Sequence, residues 1–378
     1  MAWAFLADAL PLYPLYALLF LDTGLSVAQV SALFAIWSGV GFVAEIPTGA
    51  LADRFSRRAS LAVAGVVQAA GFAVWMTLPG FAGFAVGFVL WGLGGTLVSG
   101  AFEALVYDGL ADVGAEQHYA TVNGWASAAG MLGQLPAAAA ATVLYTVGGY
   151  AAAGWVSVAL CLGAAVLATR FPEPPRAPDD ESAGPGYLAT LRAGVSEAAT
   201  SPGVRAAAVA VALLTGLDAL EEYFGILAGQ WGVPTALVPL ATVAIPLAGA
   251  AGAALGGLAN RLPTAVLAAV LAGGMVLLGG AGIVAHPAGL VALTAFYGVY
   301  RAAVVVADTR LQQRVACRAR ATVTSVASLG TEIACLGVYG IWALGGLLPV
   351  AATWLLVAMA LPWLLRAQPA RPSVAADR

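Results

Sequence analysis

Long apolar runs, each close to the length of a membrane-crossing helix and each closed by a short polar turn, recur along the whole chain. Twenty residues of α-helix reach ~30 Å, the thickness of a bilayer's hydrocarbon core. The early runs cover residues 3–22, 28–50, 59–78, 81–107, 121–145 and 151–169, with turns such as Asp22-Thr23-Gly24 and Pro79-Gly80 between them. The later runs cover 204–228, 236–259, 263–284, 288–309, 321–345 and 350–365. The first run lacks the basic flank of a signal peptide and carries Asp8, so it reads as a retained helix. The pattern predicts an all-α polytopic membrane protein of twelve transmembrane helices in two six-helix halves, residues 1–169 and 204–366.

Residues 170–203 interrupt the pattern with Pro172, Pro174, Pro175, Pro178 and the acidic run Asp179, Asp180 and Glu181, which no bilayer interior accepts. They form the expected linker. Within it Leu188, Leu191 and Val195 recur at helical spacing, which predicts a short amphipathic helix on the membrane surface, and Ser201-Pro202 suits the start of the next helix. Residues 367–378 form a tail. The halves echo each other: GGLANR at Gly256 to Arg261 repeats GALADR at Gly49 to Arg54. Asp108 followed by Ala120-Thr121-Val122 likewise recurs as Asp308 followed by Ala321-Thr322-Val323.

Composition agrees with a membrane protein, since 61% of residues are hydrophobic and 9% charged, against about a quarter charged in soluble domains. There is no lysine, and abundant Ala and Gly suit a GC-rich bacterial genome. On the twelve-span arrangement every arginine except Arg301 falls in loops or ends on one side. Cytoplasmic loops carry the arginine excess, so both termini and the linker are expected in the cytoplasm, and the chain in the bacterial inner membrane.

Several chemistries drop out. Cys161, Cys317 and Cys335 have no paired spacing, His118 and His286 fall in loops on opposite sides, and no phosphate-binding loop is present. No metal site, cofactor or ATP coupling is therefore expected. An enzyme would need a nucleophile and base or a metal set at one bilayer face, and none is assembled by the sequence. Glycine strings such as Gly83 to Gly100 and Gly249, Gly252 and Gly256 read as close helix contacts. Trp3, Trp231, Trp354 and Trp363, near span ends, read as interface anchors or core.

The informative residues are the ionisable ones inside spans, each costing at least ~2.5 kcal/mol to insert. They are Asp8, Glu45, Glu103, Asp218, Glu221, Glu222, Arg301 and Glu332. Acids outnumber the single base, which favours cation or proton handling over anion transport.

The stretch GALADRFSRRASL, from Gly49 to Leu61, resembles the signature of the major facilitator superfamily, with Ser56 in place of a glycine. The resemblance implies a secondary transporter of two parallel six-helix halves, in which helices 1, 4, 7 and 10 line a central cavity. Asp8, Glu103, Asp218, Glu221, Glu222 and Arg301 fall on those helices, as do Tyr13, Tyr16, Tyr297 and Tyr300. Substrate and proton coupling is thus expected at Asp8, Glu103, Asp218, Glu221, Glu222, Arg301, Tyr297 and Tyr300. The resemblance further implies a conformational latch of Gly49, Asp53, Arg54, Arg57, Arg58 and Asp108 stabilising the outward-facing state, with Glu45 beside it. Similarity to the drug:proton antiporter branch is partial: Phe88 precedes Gly92 where an arginine is usual, and the helix 5 pattern is reduced to Gly130, Gly133 and Pro136.

The resulting expectation is proton-coupled efflux of an amphipathic or cationic organic molecule by alternating access, with proton-coupled uptake of a nutrient or a non-transporting membrane sensor as alternatives. The partners are a small-molecule substrate, protons and the lipid bilayer, without nucleic acid, and the chain is expected to act as a monomer. Glu103 and Arg301, at similar depth in opposite halves, are expected to form a gate, the alternative being an Arg301 that pairs with a carbonyl or reaches for the cytoplasm. Asp218, Glu221 and Glu222 are expected on one helix face, where at least one must hold a proton and Glu222 is the carrier; the alternative is that they cap a loop.

Overall fold

Residues 3–22, expected as a single helix, fold as two: α1 (Ala2–Asp8) and α2 (Tyr16–Asp22), separated by a turn that holds Pro11 and Pro14. Proline has no amide hydrogen to give and its ring clashes with the preceding turn. The break leaves the Leu12 amide free, and Ser157 Oγ accepts from it at 3.0 Å. A backbone donor at membrane depth is thereby satisfied by a neighbouring helix.

The computed structural model describes residues 1–54, 56–99, 101–173, 202–314 and 320–365. Among them the chain is helical without strands, and ten stretches are long and apolar enough to cross a membrane. After α2 come α3 (Val27–Arg54), α4 (Arg57–Thr77), α5 (Phe81–Val98), α6 (Ala101–Asp112) and α7 (Tyr119–Ala168). The long α7 spans two expected helices and is broken at Gly148 and Gly149, where Gly149 takes φ 62°. That left-handed backbone costs glycine nothing.

The later region begins with α8 (Pro202–Gly216), passes through a 3₁₀ turn over Leu217–Tyr223 and resumes as α9 (Phe224–Gln230). Next come α10 (Val238–Thr242), α11 (Ala244–Ala254), α12 (Gly256–Ala259), α13 (Thr264–Val284), α14 (Gly289–Arg314), α15 (Arg320–Gly345) and α16 (Leu347–Leu364). The proposed linker helix at Leu188, Leu191 and Val195 and the tail lie outside the described residues, as does Cys317.

Small residues set the closest approaches. A methyl group on Gly252 of α11 would collide with the Gly298 carbonyl of α14, and one on Gly65 of α4 would come within 2.8 Å of the Cys161 carbonyl of α7. Lipid offers no hydrophobic drive between helices, so this close packing is what holds them together. Within residues 1–173, α4 packs on α5 and α7, α3 on α5, and α1 on α7. Within residues 202–365, α11 packs on α14, α13 on α16 and α14, and α8 on α14 and α15. The two groups meet where α3 contacts α15, α2 contacts α9 and α10 contacts α7.

Candidate functional site

Contacts between the two groups of helices include two hydrogen bonds, Ser31 Oγ with Tyr223 Oη at 2.8 Å and Ser38 Oγ donating to Glu332 Oε2 at 2.6 Å. Tyr223 is fully buried, stacks on Trp342 at 4.0 Å and meets the edge of Phe34 at 5.3 Å. Nearby, a methyl on Gly225 would sit 3.3 Å from the Pro14 carbonyl, and one on Gly229 3.1 Å from Leu18. These contacts lie toward the Asp22-Thr23-Gly24 turn.

From their level, adjoining cavities of about 350 and 380 Å³ run toward the arginine-bearing end and share Tyr13, Trp37, Gly95 and Glu221. One reaches Leu61, a helical turn from Arg57. The other is lined by Glu45, Asp218, Glu222 and Glu332. A third space of about 200 Å³ lies beside Gln134, Tyr297 and Arg301.

The acidic triplet does not share one face. Residues 217–223 form a 3₁₀ turn, which has three residues per turn, so Asp218 and Glu221 are aligned while Glu222 is displaced by roughly a third of a turn. Asp218 receives Arg301 in an ion pair and accepts from Tyr297 Oη at 3.0 Å. Tyr297 Oη also lies 3.2 Å from Glu221 Oε2. Tyr300, fully buried, donates to the Leu214 carbonyl at 2.8 Å and so anchors α14 to α8. Glu222 instead faces Tyr13, Tyr16, Trp37, Phe88 and Trp91. The triplet is not a surface loop cap, since its members line the interior cavities.

Arg301 therefore finds its partner one helix away, within residues 202–365. Glu103 is exposed in the first turn of α6, so in this conformation the Glu103–Arg301 pair is not made. A half-buried guanidinium gains from a carboxylate partner, and Asp218, in the adjacent 3₁₀ turn, supplies it. Asp8 ends α1 and reaches the cavity; a methyl on Gly130 of α7 would collide with its Oδ2, which gives Gly130 its reason. Glu45 accepts from Ser99 Oγ at 2.7 Å, at the junction of α5 and α6.

In the signature region Arg57 pairs with Asp108 and donates to the Ala104 carbonyl at 3.3 Å. Both partners belong to residues 1–173, so the pair orders the α3–α4 junction against α6. Gly49 and the side chains of Asp53 and Arg54 lie outside the described ones. Arg58 lies 3.9 Å from Glu173, which also accepts from Ser56 Oγ at 2.5 Å and from the Arg57 amide at 2.8 Å. Ser56 itself caps α4 by accepting from the Ala59 amide. Ser56, which departs from the signature, thus serves as an N-cap.

Sequence reasoning missed Trp37, Trp91 and Gln134 as cavity residues. A signal was present, because the tryptophans sit in mid-span rather than at a membrane interface and Gln134 is a polar residue in an apolar run. Among the described residues no group of three or more His, Cys, Asp or Glu side chains could hold a metal ion.

Comparison with solved structures shows the same fold. The nucleoside transporter NupG aligns over 97% of this chain and 98% of its own with a TM-score of 0.79 at 13% identity. A D-xylose-proton symporter aligns over 95% and 96% with a TM-score of 0.65 at 17% identity. The POT family transporter PepTSo aligns over 96% and 94% with a TM-score of 0.66 at 13% identity. No curated protein matches the sequence. The sequence pattern of the Major Facilitator Superfamily matches residues 1–338. This multi-pass membrane chain therefore belongs to the Major Facilitator Superfamily, a family of transporters rather than of enzymes.

Proposed function

We propose that the chain is a proton-coupled secondary transporter that exports an amphipathic or cationic organic molecule by alternating access. On this reading it has twelve membrane-spanning helices, six in residues 1–169 and six in 204–366, with the linker 170–203, the tail 367–378 and both termini in the cytoplasm. It acts as a monomer in the bacterial inner membrane. The arginine-bearing end is then cytoplasmic, and the cavities that run toward it correspond to an inward-facing state.

One observation carries the reading. The cavities hold Asp8, Glu45, Asp218, Glu221, Glu222 and Glu332 against a single arginine, and that arginine is committed to Asp218. Several carboxylates in one low-dielectric space cannot all remain ionised without cations, so protons or a cationic substrate must take up the balance. Competition between the two for the same carboxylate is the thermodynamic content of antiport. Uptake by symport is the second reading, favoured by the shared fold of a D-xylose-proton symporter.

The test is transport into inside-out vesicles under an imposed pH gradient, over a panel of lipophilic cations and sugars. Antiport predicts accumulation of a cation driven by an acidic lumen and collapsed by a protonophore. Sugar movement together with protons would instead establish symport, and gradient-independent behaviour across the whole panel would remove proton coupling.

A further inference from the structure

We infer that Glu222 and the aromatic side chains around it form a subsite for the ammonium group of the substrate, so that the transported class is an organic amine or quaternary ammonium bearing an oxygen acceptor. The inference rests on the transporter reading above and sharpens it. Glu222 lines a space of about 10 Å³ with Tyr13, Tyr16, Trp37, Phe88 and Trp91, too small for an ammonium group, so the group sits at its mouth, in the cavity of about 380 Å³ that Glu222, Tyr13 and Trp37 also line. Among the described residues its carboxylate has no hydrogen-bond donor and no cationic neighbour, because Arg301 is held by Asp218 and Tyr297 turns to Asp218 and Glu221. The other charged groups of the adjoining cavities are the acids Asp8, Glu45, Asp218, Glu221 and Glu332 and the single base Arg301, which Asp218 holds.

A second unpartnered polar group belongs to the same ring of side chains. The buried Trp91 Nε1 has no acceptor, although a buried indole N–H ordinarily finds one. Trp91 stacks on Tyr13 at 6.0 Å and lies 6.0 Å from Trp37, so the rings form a continuous wall beside the carboxylate. An uncompensated carboxylate, an unsatisfied N–H and a wall of ring faces are met together by a compact cation that carries an acceptor. Cations sit over ring faces within about 6 Å, and tryptophan is the strongest of these partners. A sugar or nucleoside would satisfy the N–H but leave the carboxylate without a counter-charge. A hydrophobic anion would be repelled by every acid in the cavity. The 3₁₀ turn makes this separation: it turns Glu222 to the aromatic wall and keeps Asp218 and Glu221 with Tyr297.

The experiment compares binding of choline with that of its neutral isostere 3,3-dimethylbutan-1-ol to the purified full chain in detergent, read with the infrared band of protonated carboxyl groups. Wild type should bind choline at least tenfold more tightly than the isostere and lose part of the carboxylic acid band as choline enters. Glu222→Gln should abolish that preference and the band change together. Trp91→Leu should weaken choline by about tenfold, the scale of a desolvated cation–π contact, while Trp91→Phe keeps the ring contact and loses only the share carried by the N–H, so it falls between Trp91→Leu and wild type. Equal binding of choline and isostere, or choline binding indifferent to both Glu222→Gln and Trp91→Leu, would overturn the subsite. A band that responds to pH but not to choline would do the same while leaving proton coupling at Glu222 intact. A band unresponsive to either would remove the coupling reading as well.

Discussion

Replacing Asp218 by Asn tests the most consequential contact in the cavity. In the folded protein the Asp218 carboxylate receives both Arg301 and the Tyr297 hydroxyl. Removing one member of a fully buried pair costs ~3–5 kcal/mol, because a charge is left without compensation. Here the side chains of Arg301 and Asp218 retain 34% and 30% exposure, so cavity water screens part of that loss and a cost of about 2 kcal/mol is expected. Arg301→Gln alone should cost a similar amount. The double variant Asp218→Asn with Arg301→Gln should cost less than the sum, leaving a coupling of about 1–2 kcal/mol, since neither charge is then stranded. Unfolding in mixed detergent micelles gives all three values. Glu103→Gln combined with Arg301→Gln serves as the control and should be additive. Coupling between Arg301 and Glu103 in place of Asp218 would refute the assignment of the partner.

Other consequences follow from particular contacts. Gly252→Ala should cost about 1–3 kcal/mol by pushing α11 off α14, whereas Gly257→Ala, with open space around it, should be neutral or slightly stabilising in the same unfolding assay. Glu173→Gln should weaken the cap at the start of α4 by about 1 kcal/mol and speed hydrogen exchange at the Ala59 and Ser60 amides, with α13 unaffected. Ser38→Ala removes a tie between α3 and α15 worth about 1 kcal/mol, so reagents applied from the Asp22 side should label a cysteine at Ala35 about fivefold faster. Unchanged labelling would mean that Ser38 and Glu332 do not hold that end closed.

The helical membrane character was legible because it depends on composition and spacing, which need no tertiary information. Helical runs of apolar residues and the arginine bias are one-dimensional signals. The break at Pro11 and Pro14 was also legible, since two prolines in one span can hardly continue a helix, yet the apolar run was read through them. The 3₁₀ turn at Leu217–Tyr223 was not legible: its residues suit an α-helix, and tertiary contacts of Tyr223 with Ser31, Phe34 and Trp342 fix the geometry instead. Pairing was the least accessible feature. Equal depth in two halves suggested Glu103 for Arg301, but depth does not specify azimuth around a helix, and Asp218 on the neighbouring helix lies closer at hand.

The two breaks are related, and the relation explains how the cavity acquires its polar side chains. Beyond the Pro11–Pro14 turn, α2 has seven residues, Tyr16–Asp22; beyond the 3₁₀ turn, α9 also has seven, Phe224–Gln230. Seven residues at 1.5 Å each place both breaks about 10 Å from the same end of the molecule, roughly a third of the way into a ~30 Å hydrocarbon core. The two short segments pack on each other and close that end, with Gly225 against Pro14 and Gly229 against Leu18. Interrupted helices at corresponding positions of two halves mark binding sites in membrane transporters, because irregular backbone is tolerated only where it lines a cavity or is buried in protein. Beside one break lie Asp8 and Tyr13, and within the other Asp218, Glu221 and Glu222, so five of the cavity's polar side chains are delivered by the two interruptions. A continuous helix in either position would carry these residues past the cavity at a different azimuth, and the closed end would lose the short segments that seal it.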